Sequence, residues 1–306
     1  MDSFHLTLRQ LQIFCSVAEH GSTTAAAAAV ALSQSATSAA INELERMLGL
    51  ELFDRFGKRL LLNDNGRSLL PQARVVLDGA SAIQRWAREG ETQLGAMRIG
   101  ASTTIGNYLL PEILAGFERS HAHSARGTWQ VQVEIANVAR IVDGVAAFEL
   151  DFGLIEGPCH HSELDVLPWF EDELMVVAGA GDPIIRRRGR VPIQVLREAT
   201  WLLREPGSGT REIVNALLIP HLHHLKSGIE FGNSEAIKRA TANRLGITCL
   251  SRAVVQDFLR SGALVALRTE LPPLTRRLLM VIHRRKLRTH GLTKLLGYLD
   301  KCARRI

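Results

Sequence analysis

The chain has 306 residues, of which 46% are hydrophobic and 22% are charged, as in globular proteins with two or three domains. No apolar run reaches the roughly 18–20 residues of a membrane span, and the first residues lack the basic segment and apolar core of a signal peptide. The four cysteines form no Cys-x-x-Cys pair, so we expect reduced, unpaired thiols in a cytoplasmic protein.

The net charge of +6 does not by itself indicate a nucleic-acid partner. Residues 1–92 contain 9 Lys and Arg against 10 Asp and Glu, and the remainder contains 28 against 21. The surplus lies in the C-terminal part, in clusters at 186–190 and 276–305, which we interpret as solvated faces. Only a local basic feature of the N-terminal part can therefore indicate nucleic-acid binding.

Two short helices are predicted at the start of the chain. The first covers about 7–20, has an apolar face and ends at Gly21, as glycine commonly ends a helix. The second begins at Ser22 or Thr23 and is almost pure alanine over 25–29. Alanine favours helix and has little side-chain bulk, so this helix can pack very close to a neighbour.

The stretch VALSQSATSAAINELERMLG, residues 30–49, predicts a third helix with Ser33 as its N-cap. Apolar residues recur at helical spacing on one face, namely Ile41, Leu44 and Leu48. Another face carries short, uncharged polar side chains, namely Gln34, Ser35, Ser38 and Asn42. Such a face at the positive end of the helix dipole suits phosphate, although an ordinary helix with a serine-rich first turn has the same composition. The second and third helices, joined by a tight turn, form a helix-turn-helix pattern.

Residues 50–66 predict a small β-hairpin. Apolar residues precede a turn at 56–58, and a second strand follows over 59–62. The tip carries a local positive charge from Arg55, Lys58 and Arg59. Two interpretations fit this pattern, a solvated turn and a wing that contacts phosphate or the minor groove of DNA.

One long helical pattern follows over 67–92 and separates the hairpin from the rest of the chain. Its apolar residues form one stripe, namely Leu69, Leu70, Ala73, Val76, Leu77, Ala80, Ile83 and Trp86. Because a lone connecting helix has nothing to bury such a stripe against, the pattern predicts a dimer formed by two copies of this helix.

From Leu94 onwards, strand and helix patterns alternate. The predicted strands are 96–102, 130–136, 150–156, 173–179, 200–205, 228–232, 246–251 and 277–283. The alternation predicts an α/β fold with parallel strands, and ligands of such sheets bind at the C-terminal ends of the strands. Small and polar residues follow several of these ends, namely Ser102-Thr103-Thr104, Asn137, Glu156 and Pro206-Gly207-Ser208-Gly209-Thr210-Arg211.

These features together resemble one family. The segment LTLRQLQIFCSVAEHGSTTAAAAAVALSQSATSAAINELERMLGLELFDRFGKRLLLNDNGRSLL is similar to the winged helix-turn-helix of the LysR-type transcriptional regulators, and this motif is highly specific. The segments IGASTTIGNYLLPEIL, DFGLIEGP, REPGSGTRE and GNSEAIKRATANRLGITCLSR extend the resemblance over the whole chain. They are similar to the branch that includes regulators of cysteine biosynthesis and carbon fixation.

The resemblance implies an α+β chain that acts as a bacterial, cytoplasmic, sequence-specific transcription regulator, active as a homotetramer. Its effector domain would be an α/β, two-subdomain fold like that of periplasmic binding proteins, with a small-molecule effector bound between the subdomains. The expected parts are a winged helix-turn-helix DNA-binding domain over 1–65, a linker and dimerisation helix over 66–93, and an effector-binding domain over 94–306, with subdomain I at about 94–170 and 275–306 and subdomain II at about 171–274.

The resemblance also implies a set of DNA-binding residues, namely Ser33, Gln34, Ser35, Thr37, Ser38, Asn42, Arg55, Lys58 and Arg59. It places Gln34, Ser35 and Ser38 at base edges in the major groove, and the basic hairpin residues against the phosphate backbone or the minor groove. One position departs from the family, because Ala39 stands where members often carry a longer polar or basic residue. Alanine cannot make a bidentate contact with guanine, so we expect DNA shape to contribute to specificity.

A small-molecule site is expected around Gly207-Ser208-Gly209-Thr210, which precedes a helix and can hold an anion through backbone N–H groups. This loop lacks the lysine and the spacing of a Walker loop, so an NTPase is not expected. The resemblance places the loop and residues 102–104 around one cleft. The effector-binding residues that it implies are Ser102, Thr103, Thr104, Asn137, Glu156, Ser208, Gly209, Thr210 and Arg211.

Two of these residues constrain the chemistry of the effector. Arg211 can pair with a carboxylate or an oxyanion, or it can cap the surface of its own helix. Glu156 would repel a bare anion unless it is protonated or bridged by a hydrogen-bond donor. An amino acid or a partly protonated oxyanion satisfies both signs, so we expect an anionic or zwitterionic co-inducer and no other cofactor.

Other function classes have weaker support. The clusters at 159–161 and 221–224 contain histidines but lack three or four ligands at known metal-site spacing, so surface or capping histidines are expected there. No spacing indicates a catalytic arrangement, and we expect neither an enzyme nor a metal site. A solute-binding module or an enzyme would have no use for the first 92 residues, which favours a regulator. The expected partners are an imperfect palindrome in double-stranded DNA, further copies of the chain, and RNA polymerase, but no membrane.

Overall fold

The computed structural model describes residues 5–57, 59–89, 94–121, 129–186 and 189–303. The chain divides into two units. Unit 1 consists of Met1–Gln93 and Arg285–Thr289. Unit 2 consists of Leu94–Arg284 and His290–Ile306. The domain and subdomain boundaries expected from the sequence stay predictions.

Four helices and a hairpin make up the described part of unit 1. They are α1 (Leu8–His20), α2 (Thr23–Ala29), α3 (Gln34–Leu48), β1 (Phe53–Phe56), β2 (Arg59–Leu62) and α4 (Asp64–Glu89). The side chains of Ser22 and Ser33 cap α2 and α3 by accepting from backbone N–H groups. Gly21 ends α1 with a φ of 64°, a left-handed conformation that glycine adopts without strain. These local signals explain why the limits of the helices are readable from the sequence.

A hydrophobic core joins the helices of unit 1 to the hairpin. Phe14, Val17 and Leu44 are completely buried in it. Gly66 lies so close to the Leu52 backbone that a Cβ there would collide with the Leu52 carbonyl oxygen. The start of α4 is therefore packed directly against the hairpin.

The apolar stripe of α4 is partly used inside unit 1. The stripe residues that pack into this core are Leu69, Leu70, Ala73 and Leu77. The expectation that the helix has nothing to pack against is therefore wrong for its first half, because α1 lies along it. Val76 and Ile83 remain 47% and 68% exposed, and the side chain of Trp86 lies outside the described part of the chain.

Unit 2 contains strands and helices in alternation. Its strands are β3 (Ala96–Ser102), β4 (Gln130–Ala136), β5 (Phe152–Glu156), β6 (Leu164–Gly179), β7 (Trp201–Arg204), β8 (Ser227–Phe231), β9 (Thr248–Ser251), β10 (Leu264–Ala266) and β11 (Thr275–His283). Its α-helices are α5 (Thr103–Tyr108), α6 (Leu110–His121), α7 (Val138–Ala146), α8 (Ile193–Glu198), α9 (Gly209–Leu222), α10 (Ser234–Ala242), α11 (Arg252–Ser261) and α12 (His290–Ala303). A short 3₁₀ helix covers Pro183–Arg186.

The main sheet has the strand order β10-β6-β11-β5-β3-β4, and β9 also pairs with β6. β3 is parallel to β4 and β5, and β7 and β8 form a separate parallel pair. However, β11 is antiparallel to β5 and β6, and β9 and β10 are antiparallel to β6. The expectation of parallel strands is therefore wrong for this part of the sheet. β5 and β6 run parallel to each other, but they are not neighbours, because β11 lies between them and is antiparallel to both.

Four hydrophobic clusters fill unit 2, and they form two sets. Two clusters draw their residues from 94–170, 278–282 and 292–303, and we call this part lobe I. The other two draw theirs from 174–274, which we call lobe II, with Tyr108 as an additional member. β6 passes through both lobes, because its first part pairs with β11 and its last part with β9 and β10.

Candidate functional site

The first turn of α3 presents short polar side chains to solvent. Ser33, Gln34 and Ser35 are exposed. Ser33 Oγ accepts a hydrogen bond from the Ala36 N–H at 3.1 Å, and Gln34 Nε2 donates to Thr23 Oγ1 at 3.0 Å. These contacts fix the start of α3 relative to α2, so that the polar groups form one surface.

Asn42 and Arg55 connect α3 to the hairpin. Arg55 Nη2 donates to Asn42 Oδ1 at 2.7 Å and lies 3.6 Å from Glu45 Oε2. Asn42 and Arg55 are exposed, and Ser38, one turn earlier on α3, is half-buried. The structure therefore brings a cationic side chain of β1 beside the polar face of α3.

The remaining predicted DNA-binding residues differ in their placement. Arg59 is exposed at the start of β2, and Lys58 lies outside the described residues. Thr37 is completely buried, and its hydroxyl donates to the Ser33 carbonyl at 3.0 Å. Thr37 therefore supports the first turn of α3 from inside, and its expected DNA contact is corrected to a structural role.

Glu156 is the centre of a buried polar cluster in unit 2. It ends β5 and is 2% exposed. Its carboxylate accepts from the hydroxyl of Ser102 at the end of β3, and from Thr210 Oγ1 in the first turn of α9 at 3.0 Å. Arg276 Nη1 lies 4.0 Å from Glu156 Oε1. Predicted residues from lobe I and lobe II thus meet at one place, the Glu156 cluster.

Arg276, Asp172 and Ser251 complete the Glu156 cluster, and the sequence analysis missed all three. Arg276 Nε donates to Asp172 Oδ2 at 2.8 Å, and Arg276 Nη1 donates to Thr210 Oγ1 at 3.0 Å. Ser251 Oγ donates to Asp172 Oδ1 at 2.7 Å. The buried charges of the cluster are therefore each held by several polar partners, as buried ions require.

The assignment of Arg276 to a solvated basic face is wrong. Its side chain is completely buried, because it lies at the start of β11 on the same face of the strand as Leu278 and Met280. Side chains alternate between the two faces of a strand. Arg276 stands two residues before Leu278, so both side chains lie on the same face of the strand. This spacing is the sequence signal that could have identified Arg276 as an inward-facing cation.

Two buried polar atoms of this region have no hydrogen-bond partner among the described residues. They are Arg276 Nη2 and Thr104 Oγ1. The start of α9 is buried, and the side chain of Ser208 makes no capping hydrogen bond there. A Cβ at Gly209 would collide with the Glu156 carbonyl oxygen, so only glycine lets α9 start this close to β5. A buried guanidinium donor and an uncapped helix N-terminus both favour an anion.

Three other predicted effector-binding residues lie outside the Glu156 cluster's hydrogen bonds, and two of them have partners of their own. Thr103 is half-buried at the start of α5. Asn137 is exposed, and its side chain caps α7 by accepting from a backbone N–H at 3.0 Å. Arg211 Nη1 donates to the Arg204 carbonyl at 2.7 Å and to Glu230 Oε1 at 2.9 Å. Arg211 thus pairs with a carboxylate, that of Glu230 on β8, and does not cap the surface of its own helix; its contact with an effector stays a prediction.

The described residues give little support for a metal site, a reactive thiol or a membrane span. No group of three or more His, Cys, Asp or Glu side chains among them could hold a metal ion. All four cysteines are free, and burial raises the pKa of Cys249 to about 12 and that of Cys15 to about 11. None of the helices described is both long enough and apolar enough to cross a membrane.

Two family profiles match the chain in tandem. The profile "Bacterial regulatory helix-turn-helix protein, lysR family" matches residues 8–67, and the profile "LysR substrate binding domain" matches residues 90–303. The chain belongs to the LysR family of transcriptional regulators. The first match contains the polar face of α3 and the hairpin, and the second contains the whole Glu156 cluster. The predicted winged helix-turn-helix and effector-binding parts are thereby confirmed.

Similar proteins place the chain in the predicted branch of the LysR family. It is 45% identical over 97% of its length to the HTH-type transcriptional regulator YeiE of Escherichia coli (strain K12), covering 98% of that protein. It is 30% identical to the RuBisCO operon transcriptional regulator of Allochromatium vinosum, with 92% of this chain and 91% of that one covered. It is also 30% identical to the regulator CysL of Bacillus subtilis (strain 168), with 81% and 82% covered.

Solved structures of LysR-type regulators share the fold. A full-length OxyR variant from Pseudomonas aeruginosa superposes with a TM-score of 0.79 at 23% identity, covering 97% of this chain and 95% of that one. Full-length CbnR, in complex with its target DNA, has a TM-score of 0.64 at 19% identity, with 97% and 99% covered. The regulatory domain of CcmR from Synechocystis PCC6803, in complex with 2-PG, has a TM-score of 0.62 at 25% identity, with 69% and 99% covered.

Proposed function

We propose that this LysR-type regulator binds an imperfect palindrome in double-stranded DNA and responds to a small anionic or zwitterionic effector held between lobes I and II. The effector part rests on one observation. Arg276 Nη2 is buried without a hydrogen-bond partner among the described residues, in a guanidinium that also donates to Thr210 in the uncapped first turn of α9. A buried polar group without a partner costs about 1–3 kcal/mol, so a ligand that accepts from this group recovers that free energy on binding.

The charges of the Glu156 cluster favour a particular kind of effector. Both oxygens of Glu156 accept from hydroxyl groups, and both oxygens of Asp172 accept from Arg276 and Ser251. The carboxylates are therefore already occupied by protein donors, and the group left open is the donor Arg276 Nη2. An oxyanion, or the carboxylate of an amino acid, fits this donor, whereas a bare cation does not.

Thr104 adds a second group for the effector. Its hydroxyl is 1% exposed and lacks a partner among the described residues, although it can both donate and accept. An effector that carries an oxyanion and a proton, or an oxyanion and an ammonium group, can use Arg276 and Thr104 together. The CcmR regulatory domain binds 2-PG, and we infer that a small ligand of comparable charge occupies the cleft of this chain.

The polar face of α3 and the hairpin are proposed to bind DNA. Gln34 and Ser35 would read base edges from the exposed first turn, while Arg55 and Arg59 contact phosphates or the minor groove. Ala39 is exposed on α3 and offers only a methyl group, so recognition of DNA shape would supply part of the specificity. CbnR is known in complex with its target DNA, which supports this part by family analogy.

The assembly is proposed to be a dimer through α4 that pairs into a tetramer. Val76 and Ile83 support the dimer, because they are exposed apolar residues seven positions apart and therefore lie on one face of α4. The effector domains would join two dimers, and effector binding would shift the tetramer between two arrangements on bent DNA. In this proposal the protein works in the cytoplasm, contacts RNA polymerase and catalyses no reaction.

DNA-affinity sequencing tests the DNA part. Full-length protein is mixed with sheared genomic DNA from its host, and the bound fragments are sequenced. We expect one enriched palindrome beside a few genes, and loss of the enrichment in a Gln34→Ala/Ser35→Ala variant. Glu43→Gln, an exposed change on the same helix, is the control that keeps the enrichment. Binding to all fragments alike, unchanged by the α3 variant, would overturn sequence-specific recognition by α3.

Calorimetry tests the effector part. Full-length protein is titrated with phosphate, sulfate, nitrate, short carboxylic acids and amino acids, together with metabolites of the pathways whose genes are enriched. We expect saturable binding by at least one anionic or zwitterionic compound, with weaker binding in Thr104→Val. Binding confined to cations or neutral compounds, or binding that Thr104→Val leaves unchanged, would contradict the proposed site while leaving the DNA result intact.

A further inference from the structure

Tyr108 crosses from one lobe of unit 2 to the other. It is the last residue of α5, which follows β3 in lobe I. The hydrophobic clusters of unit 2 otherwise separate cleanly by lobe, and among the described residues Tyr108 alone packs against a cluster of the opposite lobe. Phe231 and Phe258 pack against the same cluster. Besides the two chain crossings, the lobes are thus joined by an inserted aromatic ring.

The ring of Tyr108 meets a buried ammonium group. Lys238 Nζ lies 5.3 Å from the centroid of the Tyr108 ring and 4.7 Å from that of Phe258. Its carboxylate partners are Glu235 Oε2 at 2.8 Å and Asp257 Oδ2 at 2.9 Å. The side chain of Lys238 is only 2% exposed. A lysine buried to this extent is tolerated because its charge is balanced by carboxylates and covered by aromatic faces.

A hydrogen bond between the lobes completes the arrangement. The hydroxyl of Tyr108 donates to Glu235 Oε2 at 2.6 Å. Burial and this hydrogen bond both raise the pKa of Tyr108, so the hydroxyl stays protonated and remains a donor. Burial alone would raise the pKa of Glu235, but hydrogen bonds from Lys238 and Tyr108 outweigh it, and the pKa lies below its usual value. The acceptor is therefore an ionised carboxylate, which makes this a strong, charge-assisted hydrogen bond.

The same helices lead to the Glu156 cluster. α5 begins directly after Ser102, which donates to Glu156, and it carries Thr104 in its first turn. α11, which carries Asp257, begins directly after Ser251, whose hydroxyl caps the helix and donates to Asp172. A rotation of the lobes that changes the Glu156 cluster must therefore also move Tyr108 relative to Lys238.

We propose that Tyr108, Glu235 and Lys238 form a clasp that holds lobes I and II in the closed arrangement and so sets how readily the effector cleft opens. Opening the cleft withdraws the Tyr108 ring from lobe II, exposes Lys238 to water and breaks the bond to Glu235. The clasp rests on the proposed function, and it adds three residues that control access to the effector cleft without touching the effector.

Hydrogen–deuterium exchange of the full-length protein tests the clasp, with no need for DNA or effector. Tyr108→Phe keeps the ring and removes only the hydroxyl. We expect the exchange rate of the amides to rise roughly tenfold, because the loss of one hydrogen bond to a charged acceptor makes opening more frequent by about that factor. The rise should appear in α5 and α10 and also in the amides of Gly209 and Thr210. Both amides belong to buried residues of α9 that lie outside the clasp, so a rise in their exchange reports opening of the lobes.

Two control variants separate the clasp from general destabilisation. Tyr298→Phe makes the same chemical change at the other tyrosine of the chain, which is half-buried and packs against the core of lobe I. Arg239→Gln removes an exposed ion pair to the same carboxylate, Glu235, on the same helix. Neither variant should change exchange at Gly209 and Thr210.

A second clasp variant protects the test against local misfolding of α5. Glu235→Gln changes the lobe II partner and leaves α5 untouched, and it should raise exchange in α5 and at Thr210 just as Tyr108→Phe does. The clasp is refuted if either variant changes exchange only in its own helix while the α9 amides stay as in the wild type. It is equally refuted if Tyr298→Phe raises exchange at the α9 amides as much as Tyr108→Phe does.

Discussion

Arg276 and Asp172 form an ion pair inside unit 2, with 2.8 Å between Arg276 Nε and Asp172 Oδ2 and both side chains no more than 4% exposed. Removing one partner of a buried pair leaves the other charge uncompensated, whereas replacing both by apolar residues is far less costly. Arg276→Met should therefore lower the free energy of unfolding by about 3–5 kcal/mol. The double variant Arg276→Met/Asp172→Leu should recover part of this loss.

Urea unfolding followed by tryptophan fluorescence measures both variants, since three of the four tryptophans lie in unit 2. Neither variant should bind the effector, because both lack the open donor Arg276 Nη2. If the double variant is less stable than Arg276→Met, the ion pair does not dominate the energetics of this region. Retained effector binding in either variant would remove Arg276 from the site.

Thr104→Val separates effector binding from stability. The hydroxyl of Thr104 is buried without a partner among the described residues. Replacing it with a methyl group of the same shape therefore removes a desolvation cost that no hydrogen bond offsets. The free energy of unfolding should stay unchanged or rise by up to about 1 kcal/mol. The affinity for the effector should fall roughly tenfold, as for the loss of one hydrogen bond of about 1.4 kcal/mol.

Thr248→Val is the matched control for this change. Thr248 is equally buried, but its hydroxyl donates to the Leu202 carbonyl at 2.9 Å. Its replacement should cost about 1 kcal/mol of stability and leave effector affinity as it is. Calorimetric titration and urea unfolding of the two variants should thus give opposite results. Equal loss of stability in both would indicate that Thr104 has a partner in solution.

The N-terminal unit was largely predictable because its signals are local. Ser22 and Ser33 are caps and Gly21 is a helix terminator, and each acts on residues within four positions of it. The hairpin was similarly marked by its turn. The sequence could not indicate that Thr37 turns inward, because a hydroxyl that bonds to the carbonyl four residues earlier looks the same in the sequence as one that faces solvent.

The Glu156 cluster, the proposed effector site, was only partly predictable. The sequence could predict three of its residues, because they lie at strand ends or at the start of a helix, where ligand sites of α/β sheets occur. These residues are Ser102, Glu156 and Thr210. Arg276 and Asp172 could not be predicted, because they come from antiparallel strands that cross between the lobes. The partners of Arg276 lie 66 and 104 positions away in the chain. The parallel arrangement expected for the sheet left no reason to place β11 beside β6.

Gly209→Ala should disrupt the cleft without affecting DNA binding. A Cβ at this position would collide with the Glu156 carbonyl oxygen, so the start of α9 must move away from β5. We expect a loss of about 1–3 kcal/mol of stability from this overlap, and no detectable effector binding. Binding to the enriched DNA fragment, in the absence of effector, should persist in a gel-shift assay.

Gly297→Ala is the corresponding control. Gly297 is exposed in α12, and a Cβ there would meet nothing within 4 Å. Alanine is the better helix former, so this variant should gain up to about 1 kcal/mol. Effector binding should match the wild type. Gly209→Ala with wild-type affinity would mean that the position of the first turn of α9 is irrelevant to the site.

The four thiols should differ in reactivity. Burial raises the pKa of Cys249 to about 12 and that of Cys15 to about 11, and a raised pKa leaves less of the reactive thiolate at any given pH. Cys159 and Cys302 are half-buried. Iodoacetamide at pH 8 should therefore label Cys159 and Cys302 in the native protein, and all four thiols in urea, as counted by mass spectrometry. Native labelling of Cys249 at the same rate would contradict its burial.

Arg55→Met should weaken DNA binding in a salt-dependent way. Arg55 is 58% exposed on its side chain and is oriented by Asn42. If it neutralises one phosphate, its loss removes about one released counterion, so the slope of log affinity against log salt should become shallower by about 1. Arg140→Gln, which removes one exposed positive charge from unit 2, controls for net charge and should keep the slope. Fluorescence anisotropy with the enriched fragment between about 50 and 200 mM salt measures both. An unchanged slope in Arg55→Met would mean that Arg55 serves only to hold Asn42 and the hairpin in place.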